Sequence, residues 1–592
     1  MNSFTNFKSK NSTGSLVTKA KNFKGVIIRY MQFRELSEYL EKLEKTSSRL
    51  EITKILSELF KKTSSNEIQE TVYLSLGTLA PNYESIILNL AEKMVARALV
   101  LAYNSDDKTI NKLYKEQGDL GNVAQELAKK NLGKLSVENV YDQLVDIAND
   151  NGEGSQDRKV EKLSDLLKNL DPISARFVTR IPIGRLRLGF SEKTVIDALS
   201  QESGTSSDEI ETAYNIRPDI GYIAKLVKER NLKAAKPQIG VPVVPMLAQR
   251  LNSTIEMIKK MGEVSVEPKY DGLRIFIHYK RKDNFIKIFT RNMNAIDVNT
   301  FPELSDVGKY IKADEIILDT EAVGLDPERE GFLDFQKTIQ RRRKHDIAKN
   351  SAEIPLQFQV FDVLLLNGKS FIDVPYIDRR KELEKVVVNG PLLKVDENTI
   401  TKDAEVIKKF HEKYLKMGLE GVVVKKANGL YVSGRTGWNW VKMKEVEGTS
   451  GKLSDTVDLV IMGYTTGKGK RVGFGVGQFL AGVKDGDVFK SVTKVGTGLT
   501  DEQFRELKIR LIKIQTKEKP KEYEVHKDLY PDFWVNPEVV VEIAADEITK
   551  SPKHTAGLAL RFPRLIRFRD DKNAKDATTL KELADLLKLQ KK

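Results

Sequence analysis

Cysteine is absent from all 592 residues. That excludes disulfides, cysteine nucleophiles and cysteine-ligated zinc, and it fits an intracellular protein. Histidine is scarce, with 5 copies, and their scatter gives none of the close spacings of a metal site. No apolar run approaches the roughly 20 residues that cross a bilayer, so no membrane partner is expected. Acidic residues are missing from positions 1–30, and that stretch lacks helical periodicity until Val26-Ile27-Ile28. Its single arginine, Arg29, is poor support for a transit peptide. It reads as a disordered basic arm or a mis-called start. No fixed internal repeat is evident.

What is present is a well-charged globular composition: 40% hydrophobic, 31% charged, with 98 basic against 84 acidic residues. The net charge of +14 favours polyanionic partners, nucleic acid first. The length is enough for roughly three to five domains. From Met31 to about residue 238 the pattern is helical. Phe33, Leu36, Tyr39, Leu40 and Leu43 recur at helical spacing, as do Ile52-Ile55-Leu56-Leu59, Ile86-Ile87-Leu90-Ala91-Met94 and Val137-Val140-Leu144-Ile147. Within it Arg176, Arg180, Arg185, Arg187 and Lys193 crowd around Ile183-Gly184, ahead of a helix expected near Ser191. Such a loop can grip phosphates through side chains and helix-end amides. The proline-spaced stretch Lys236–Leu247 reads as an extended linker.

From 239 to 447 short β-rich runs alternate with helices, predicting an α+β domain. Strands are expected at Lys287–Arg291, Ile316–Glu321, Phe358–Leu366 and Gly421–Lys425, and helices at about 334–344, 377–386 and 402–416. Gly448–Gly451 reads as a hinge. Residues 448–575 carry alternating runs joined by glycine-rich turns, the pattern of a small β-barrel, with a last strand around Arg561–Arg569. Residues 576–592 read as a charged helical tail.

The stretch Val266-Glu267-Pro268-Lys269-Tyr270-Asp271-Gly272-Leu273-Arg274 is the centre of the middle region. Alternation on both sides of Asp271-Gly272 predicts a hairpin with Lys269 near its turn. A lysine amine is a nucleophile only when unprotonated, a state that neighbouring cations and partial burial favour. Farther along, Glu321 ends one strand, Glu420 precedes another, and Lys442 and Lys444 share one face of a third. Carboxylates hold Mg²⁺ and lysines neutralise phosphate oxygens, so the set describes a site for a metal-bound triphosphate.

In this order the motifs resemble those of ATP-dependent DNA ligases of the archaeal and eukaryotic replicative type. Glu267-Pro-Lys269-Tyr-Asp-Gly-Leu-Arg274 looks like motif I, and Phe289-Thr-Arg291-Asn292 like the arginine-bearing strand after it. Leu318-Asp-Thr-Glu321-Ala resembles motif III, Val360-Phe361-Asp362-Val363 motif IIIa, Glu420-Gly-Val-Val-Val-Lys425 motif IV and Trp440-Val-Lys442-Met-Lys444 motif V. Arg561-Phe-Pro-Arg564-Leu-Ile-Arg567-Phe-Arg569-Asp-Asp-Lys572 resembles motif VI. Arg185-Leu-Arg187-Leu-Gly-Phe-Ser-Glu-Lys193-Thr resembles the signature of the ligase DNA-binding domain, and Val244-Pro245-Met246-Leu247-Ala248 the interdomain linker. Thr320 stands where the family often has Gly, and Met443 where Leu is usual.

The resemblance implies three domains: an all-α DNA-binding domain (31–238), an α+β nucleotidyltransferase (adenylation) domain (239–447) and a β-barrel OB-fold domain (448–575). Lys269 would attack ATP and become lysyl-AMP. The AMP would pass to the 5′-phosphate of a nick, and the 3′-hydroxyl would displace it, in replication, repair and recombination. Glu267 would hold the adenine amino group and Phe361 stack on the base. Arg274 and Arg291 would contact ribose or phosphate. Glu321 would meet ribose or metal, and Glu420 the metal, Mg²⁺ or Mn²⁺. Arg435, Lys442 and Lys444 would bind phosphate oxygens. Arg561, Arg564, Arg569 and Lys572 would orient the leaving pyrophosphate, and Arg185, Arg187 and Lys193 would bind DNA. Nicked duplex DNA is the implied partner of a chain expected to act as a monomer in an archaeal cytoplasm or nucleoid. A sliding clamp is expected at family level only, since no segment fits a clamp-binding peptide. An RNA ligase or capping enzyme is the neighbouring alternative, disfavoured by the large helical region. A DNA-binding scaffold with a dead catalytic domain is disfavoured by the intact charged set, and an NAD-dependent ligase by the missing cysteines.

Overall fold

Apolar residues spaced three and four apart dictate the first part of the molecule. In the helix Phe33–Glu44 the buried residues include Phe33, Leu36, Tyr39, Leu40 and Leu43, one stripe on one face. Ser48, Asp106, Asp119, Ser136, Asp171 and Asp219 start later helices by accepting a backbone N–H with their side chains, each worth about 1 kcal/mol. The computed structural model describes residues 30–589 apart from 130–133, 185, 187, 327–330, 334, 343–350, 352, 435–436, 445–455, 468–472 and 497–498. The expected basic arm up to residue 29, the Gly448–Gly451 hinge, Arg185, Arg187 and Arg435 therefore lie outside the described residues. One expected helix is corrected. Residues 86–91 are not helical, and the helix there is Glu92–Tyr103. Ser85 and Asn89 sit at φ 56° and 51°, outside the helical range. Leu88 and Leu90 still reach the core.

By internal contacts the chain forms two units. The first takes in the described residues up to Gln249, with Ile255–Ala404 and Val423–Val441. After its helices come two sheets. In the larger, strands run in the order Ala295–Ile296, Phe285–Thr290, Leu273–Lys280, Glu315–Gly324, Leu356–Leu366, Lys369–Ser370, with Leu393–Val395 parallel to Leu356–Leu366. Both faces are buried. Ile275, Ile277, Leu318 and Phe358 pack on one side. Phe276, Phe289, Ile317 and Leu364 meet linker residues Val243 and Met246, and Tyr83 of the helical part, on the other. In the smaller, Val264–Lys269 lies beside Thr399–Thr401.

The expected hairpin around Lys269 is the main correction. Val264–Lys269 belongs to the smaller sheet and pairs antiparallel with Thr399–Thr401. Leu273–Lys280 belongs to the larger and pairs with Phe285–Thr290 and Glu315–Gly324. The chain crosses between sheets at Asp271-Gly272. A Cβ on Gly272 would stand 2.4 Å from the Ala322 carbonyl oxygen, so only glycine permits the crossing there. The expected helix at 334–344 is shorter: one turn, Phe335–Thr338, then a 3-10 segment to Arg342. The helices Tyr376–Val386 and Ala404–Lys416 match their expectation.

The second unit takes in Arg250–Thr254, Glu405–Val422 and the described residues from Lys442 onward. Its β-rich part is organised around Val457–Thr465, which pairs with Gln478–Asp485, Phe533–Val535 and Val540–Ala544. The expected strand Arg561–Arg569 is two strands in different sheets, Leu558–Arg561 and Arg564–Phe568. Phe562 between them has φ 50°, and Pro563 after it has no N–H to give a ladder. The C-terminal stretch read as a charged tail carries the helix Leu580–Leu589, whose Leu583 is buried in the β-rich core. Among the described residues no helix is long and apolar enough to cross a membrane.

Candidate active site

Lys269 ends a strand whose five preceding residues are all buried, and it is half-buried itself. It therefore emerges where one sheet gives way to the next. Its Nζ lies 3.4 Å from the Tyr270 carbonyl oxygen. The Tyr270 ring meets Phe332 edge-on at 5.3 Å.

Two residues back on the same face, Glu267 is 1% exposed. Its Oε1 accepts from Ser265 Oγ at 2.9 Å and from the Tyr376 hydroxyl. Its Oε2 lies 2.6 Å from Lys425 Nζ. Lys425 also donates to the Phe361 carbonyl oxygen at 2.8 Å. Its ammonium stands 4.6–4.8 Å from the ring centres of Phe361, Tyr376 and Trp440, an aromatic cage that stabilises a cation. A buried charge is tolerated when it is paired and hydrogen-bonded, and here both charges are.

Phe361 owes its position to a β-bulge. Asp319 pairs with Asp362 and Thr320 with Val360, so Phe361 is the extra residue between them, and such bulges re-aim a side chain. Behind it Arg379 grips Asp362 with Nε and Nη2, both at 2.7 Å, neither side chain exposed.

Arg274 lies opposite Glu321 in register. Its Nε and Nη2 donate to Asp319 at 2.9 and 2.6 Å, and its Nη1 to the Met246 carbonyl at 2.7 Å. The Met246 N–H donates to the Tyr431 hydroxyl, which donates to Asp319. Burial pulls the Arg274 pKa down, Asp319, Tyr431 and Glu321 together pull it up, and the net direction is up. The linker is thus fastened by both main-chain groups of Met246 beside the arginine expected to meet the nucleotide. Arg291 is exposed in the turn after Phe285–Thr290.

Lys193, in the helix Glu192–Ser203, bridges Glu211 at 2.6 Å and Asp197 at 3.6 Å. In the second unit, Lys444 pairs with Glu420 at 2.6 Å. Gly421 follows at φ 130°, where a Cβ would stand 2.2 Å from the Met443 carbonyl oxygen. Lys442 and Lys444 fall two apart on one strand face, each half-buried, with Met443 buried between them. Arg561 pairs with Glu547 at 2.9 Å and Arg564 with Asp546 at 2.8 Å. Arg569 and Lys572 converge on Asp458 at 3.0 and 2.6 Å. The described residues contain no group of three or more acidic or histidine side chains placed to hold a metal.

The first unit thus brings together Glu267, Lys269, Phe361, Arg274 and Glu321 through two sheets. Sequence reasoning missed Asp319, Tyr376, Arg379, Lys425 and Tyr431 as parts of this scaffold. A signal existed for one: an acid inside Ile316-Ile317-Leu318-Asp319 must find a buried partner.

Comparison with known proteins gives the same picture along the chain. A family model described as "DNA ligase N terminus" matches residues 32–200, "ATP dependent DNA ligase domain" matches 245–444 and "ATP dependent DNA ligase C terminal region" matches 473–572. A probable DNA ligase of Dictyoglomus turgidum is 41% identical over 579 residues, covering 95% of this chain and 98% of that protein. A DNA ligase of Saccharolobus solfataricus is 39% identical over 596 residues, with the same coverage of both. A solved structure named Pmar-Lig_Pre is similar in fold, with TM-score 0.51 and 19% identity over 90% of this chain and 99% of that one.

Proposed function

The chain belongs to the ATP-dependent DNA ligase family, and from that membership we propose that Lys269 is the lysine that carries AMP. The family reaction is nick sealing in duplex DNA through lysyl-AMP, in replication and repair. The unprotonated Lys269 amine attacks the α-phosphorus, forming a P–N bond as the bond to pyrophosphate breaks. A 5′-phosphate oxygen then takes the AMP and frees the lysine. The 3′-hydroxyl attacks that phosphate, AMP leaves and the backbone is closed. The observation that carries this reading is the placement of Lys269 at the crossing between two sheets, with Glu267 on its own strand and Phe361 aimed by a bulge.

Glu267 reads the adenine amino group, Phe361 stacks on the base, and Arg274 and Arg291 meet ribose or phosphate. Arg274 already bonds Asp319 and Met246, so it reaches a ligand from a fixed position. Arg435, Lys442 and Lys444 bind phosphate oxygens, and Arg561, Arg564, Arg569 and Lys572 orient the pyrophosphate. Arg185, Arg187 and Lys193 contact DNA phosphates without reading sequence, which suits a nick of any sequence.

Glu420 would meet the metal, Mg²⁺ or Mn²⁺, and Glu321 the ribose or the metal. Carboxylates fit that ion, and Mg²⁺ usually takes one or two carboxylates with substrate phosphates rather than an all-protein cage. When bound, the ion neutralises charge on the triphosphate. We assign residues 31–238 to DNA binding, 239–447 to adenylation, and 448–575 to an OB-fold domain that closes over ATP and swings away for DNA. The enzyme acts as a monomer inside the cell, with a sliding clamp as its family-level partner.

Incubation with α-labelled ATP and Mg²⁺, followed by nicked DNA or RNA duplex, tests the proposal. Label should join the protein and then leave it as DNA nicks are sealed. A protein that never takes label, or seals only RNA, would refute it.

A further inference from the structure

Glu267 is held by more partners than a base-reading carboxylate needs, and their arrangement has a direction. A carboxylate offers about four lone-pair sites. Ser265 Oγ and the Tyr376 hydroxyl occupy Oε1. Oε2 is buried and lies 2.6 Å from Lys425 Nζ, yet it makes no aligned hydrogen bond. The side chain is therefore pinned by one oxygen, while the other, ion-paired with Lys425, keeps a lone pair for a second donor. Ser265 is itself fixed by Asn398 Nδ2 at 3.2 Å. Tyr376 comes from the helix Tyr376–Val386, outside every motif that marks the nucleotide site, and is 1% exposed. Burial, and then the charge of Glu267, raise its phenol pKa well above the ordinary value, so it stays a donor.

We propose that Tyr376 is a positioning residue for purine selection: its hydroxyl fixes Glu267 so that Oε2 accepts the 6-amino group of adenine and rejects a 6-oxo group. The inference rests on Glu267 as the base reader. An acceptor-only carboxylate facing an amine gains a charge-assisted hydrogen bond. Facing the 6-oxo group of guanine, it sets lone pair against lone pair and leaves both unsatisfied. With the phenol gone, Oε1 keeps only Ser265, and the carboxylate gains rotational freedom that the amine contact must then remove.

The test measures self-adenylylation by wild type and Tyr376→Phe, with ATP and with purine riboside triphosphate, which lacks the 6-amino group. Phenylalanine keeps the ring that faces Lys425. Wild type is expected to prefer ATP through KM. Tyr376→Phe should raise KM for ATP about ten-fold, the size of a hydrogen bond to a charged group. Its KM for the purine analogue and its kcat should not change, nor should sealing by enzyme already carrying AMP. Ser265→Ala, which removes the other Oε1 donor, should show the same selective pattern even if Tyr376→Phe folds poorly. If wild type uses both nucleotides equally, Glu267 is not the base reader and the inference fails with it. If wild type discriminates but the variants weaken both nucleotides alike, the positioning role is overturned while Glu267 keeps its own.

Discussion

The charged residues of the first unit's nucleotide strands and those of the second unit's C-terminal motif are both paired, but in different surroundings. Asp362–Arg379 is wholly buried, and Glu267–Lys425 has 1% exposure on each side. Arg561–Glu547 and Arg564–Asp546 keep between 21% and 33% of their side chains exposed, and Arg567 keeps 64%. Buried pairs cost several kcal/mol to break, because one uncompensated charge is left behind. Exposed pairs are worth about 0–1 kcal/mol and weaken with salt. Under the proposed roles, the first set would be a fixed mould for base and ribose, and the second would exchange its acids for phosphate oxygens at little expense.

The largest effect expected from a single change is on chemistry. Lys269→Ala should abolish self-adenylylation while leaving the melting temperature close to wild type, since the side chain ends a strand without supporting a core. Breaking the mould comes next: Asp362→Ala should destabilise the protein by about 3–5 kcal/mol in urea unfolding, by stranding Arg379. A loss below about 1 kcal/mol would erase the distinction between the two sets.

A pH series sharpens the comparison. His278 is fully buried, accepts from the Gly240 N–H at 3.1 Å, and is held neutral by burial and then Lys287, its pKa pushed down to about 3. The unfolded chain takes up that proton near pH 6.5 and the folded one only near 3. Its contribution is therefore complete above pH 6.5 and is lost as pH falls toward 3, by at most about 1.4 kcal/mol per pH unit. His278→Gln should flatten the acid limb of the stability curve, and an unchanged limb would show the histidine charging freely in the fold. The smallest effect belongs to the exposed pairs. Glu547→Gln, which releases Arg561, should cost no more than about 1 kcal/mol, less still in high salt.

Local order was legible in the residues and long-range partnership was not. Apolar, β-branched runs located Glu315–Gly324, Leu356–Leu366 and Gly421–Lys426 to within three residues at each end, because strands buried on both faces read as near-continuous hydrophobic stretches. Alternation on both sides of Gly272 suggested a hairpin. Pairing depends on Thr399–Thr401, more than a hundred residues away in sequence, and no local pattern announces it. The bulge at Phe361 was hidden for the same reason, since register is a property of two strands. Residues 86–91 have helical spacing but a left-handed Ser85 and Asn89, a case of tertiary context overriding propensity. Tyr376 went unnoticed because an aromatic at a helix start looks like ordinary core, and only its hydroxyl's partner reveals a role.

The central claim is that one lysine, at the crossing between two sheets, bonds to phosphorus. Its most direct test is to incubate the protein with ATP and Mg²⁺ without DNA, digest it, and locate the added AMP by mass spectrometry. The account predicts AMP on the peptide carrying Lys269 and on no other. AMP on Lys425, Lys442 or Lys444 with Lys269 unmodified would contradict it.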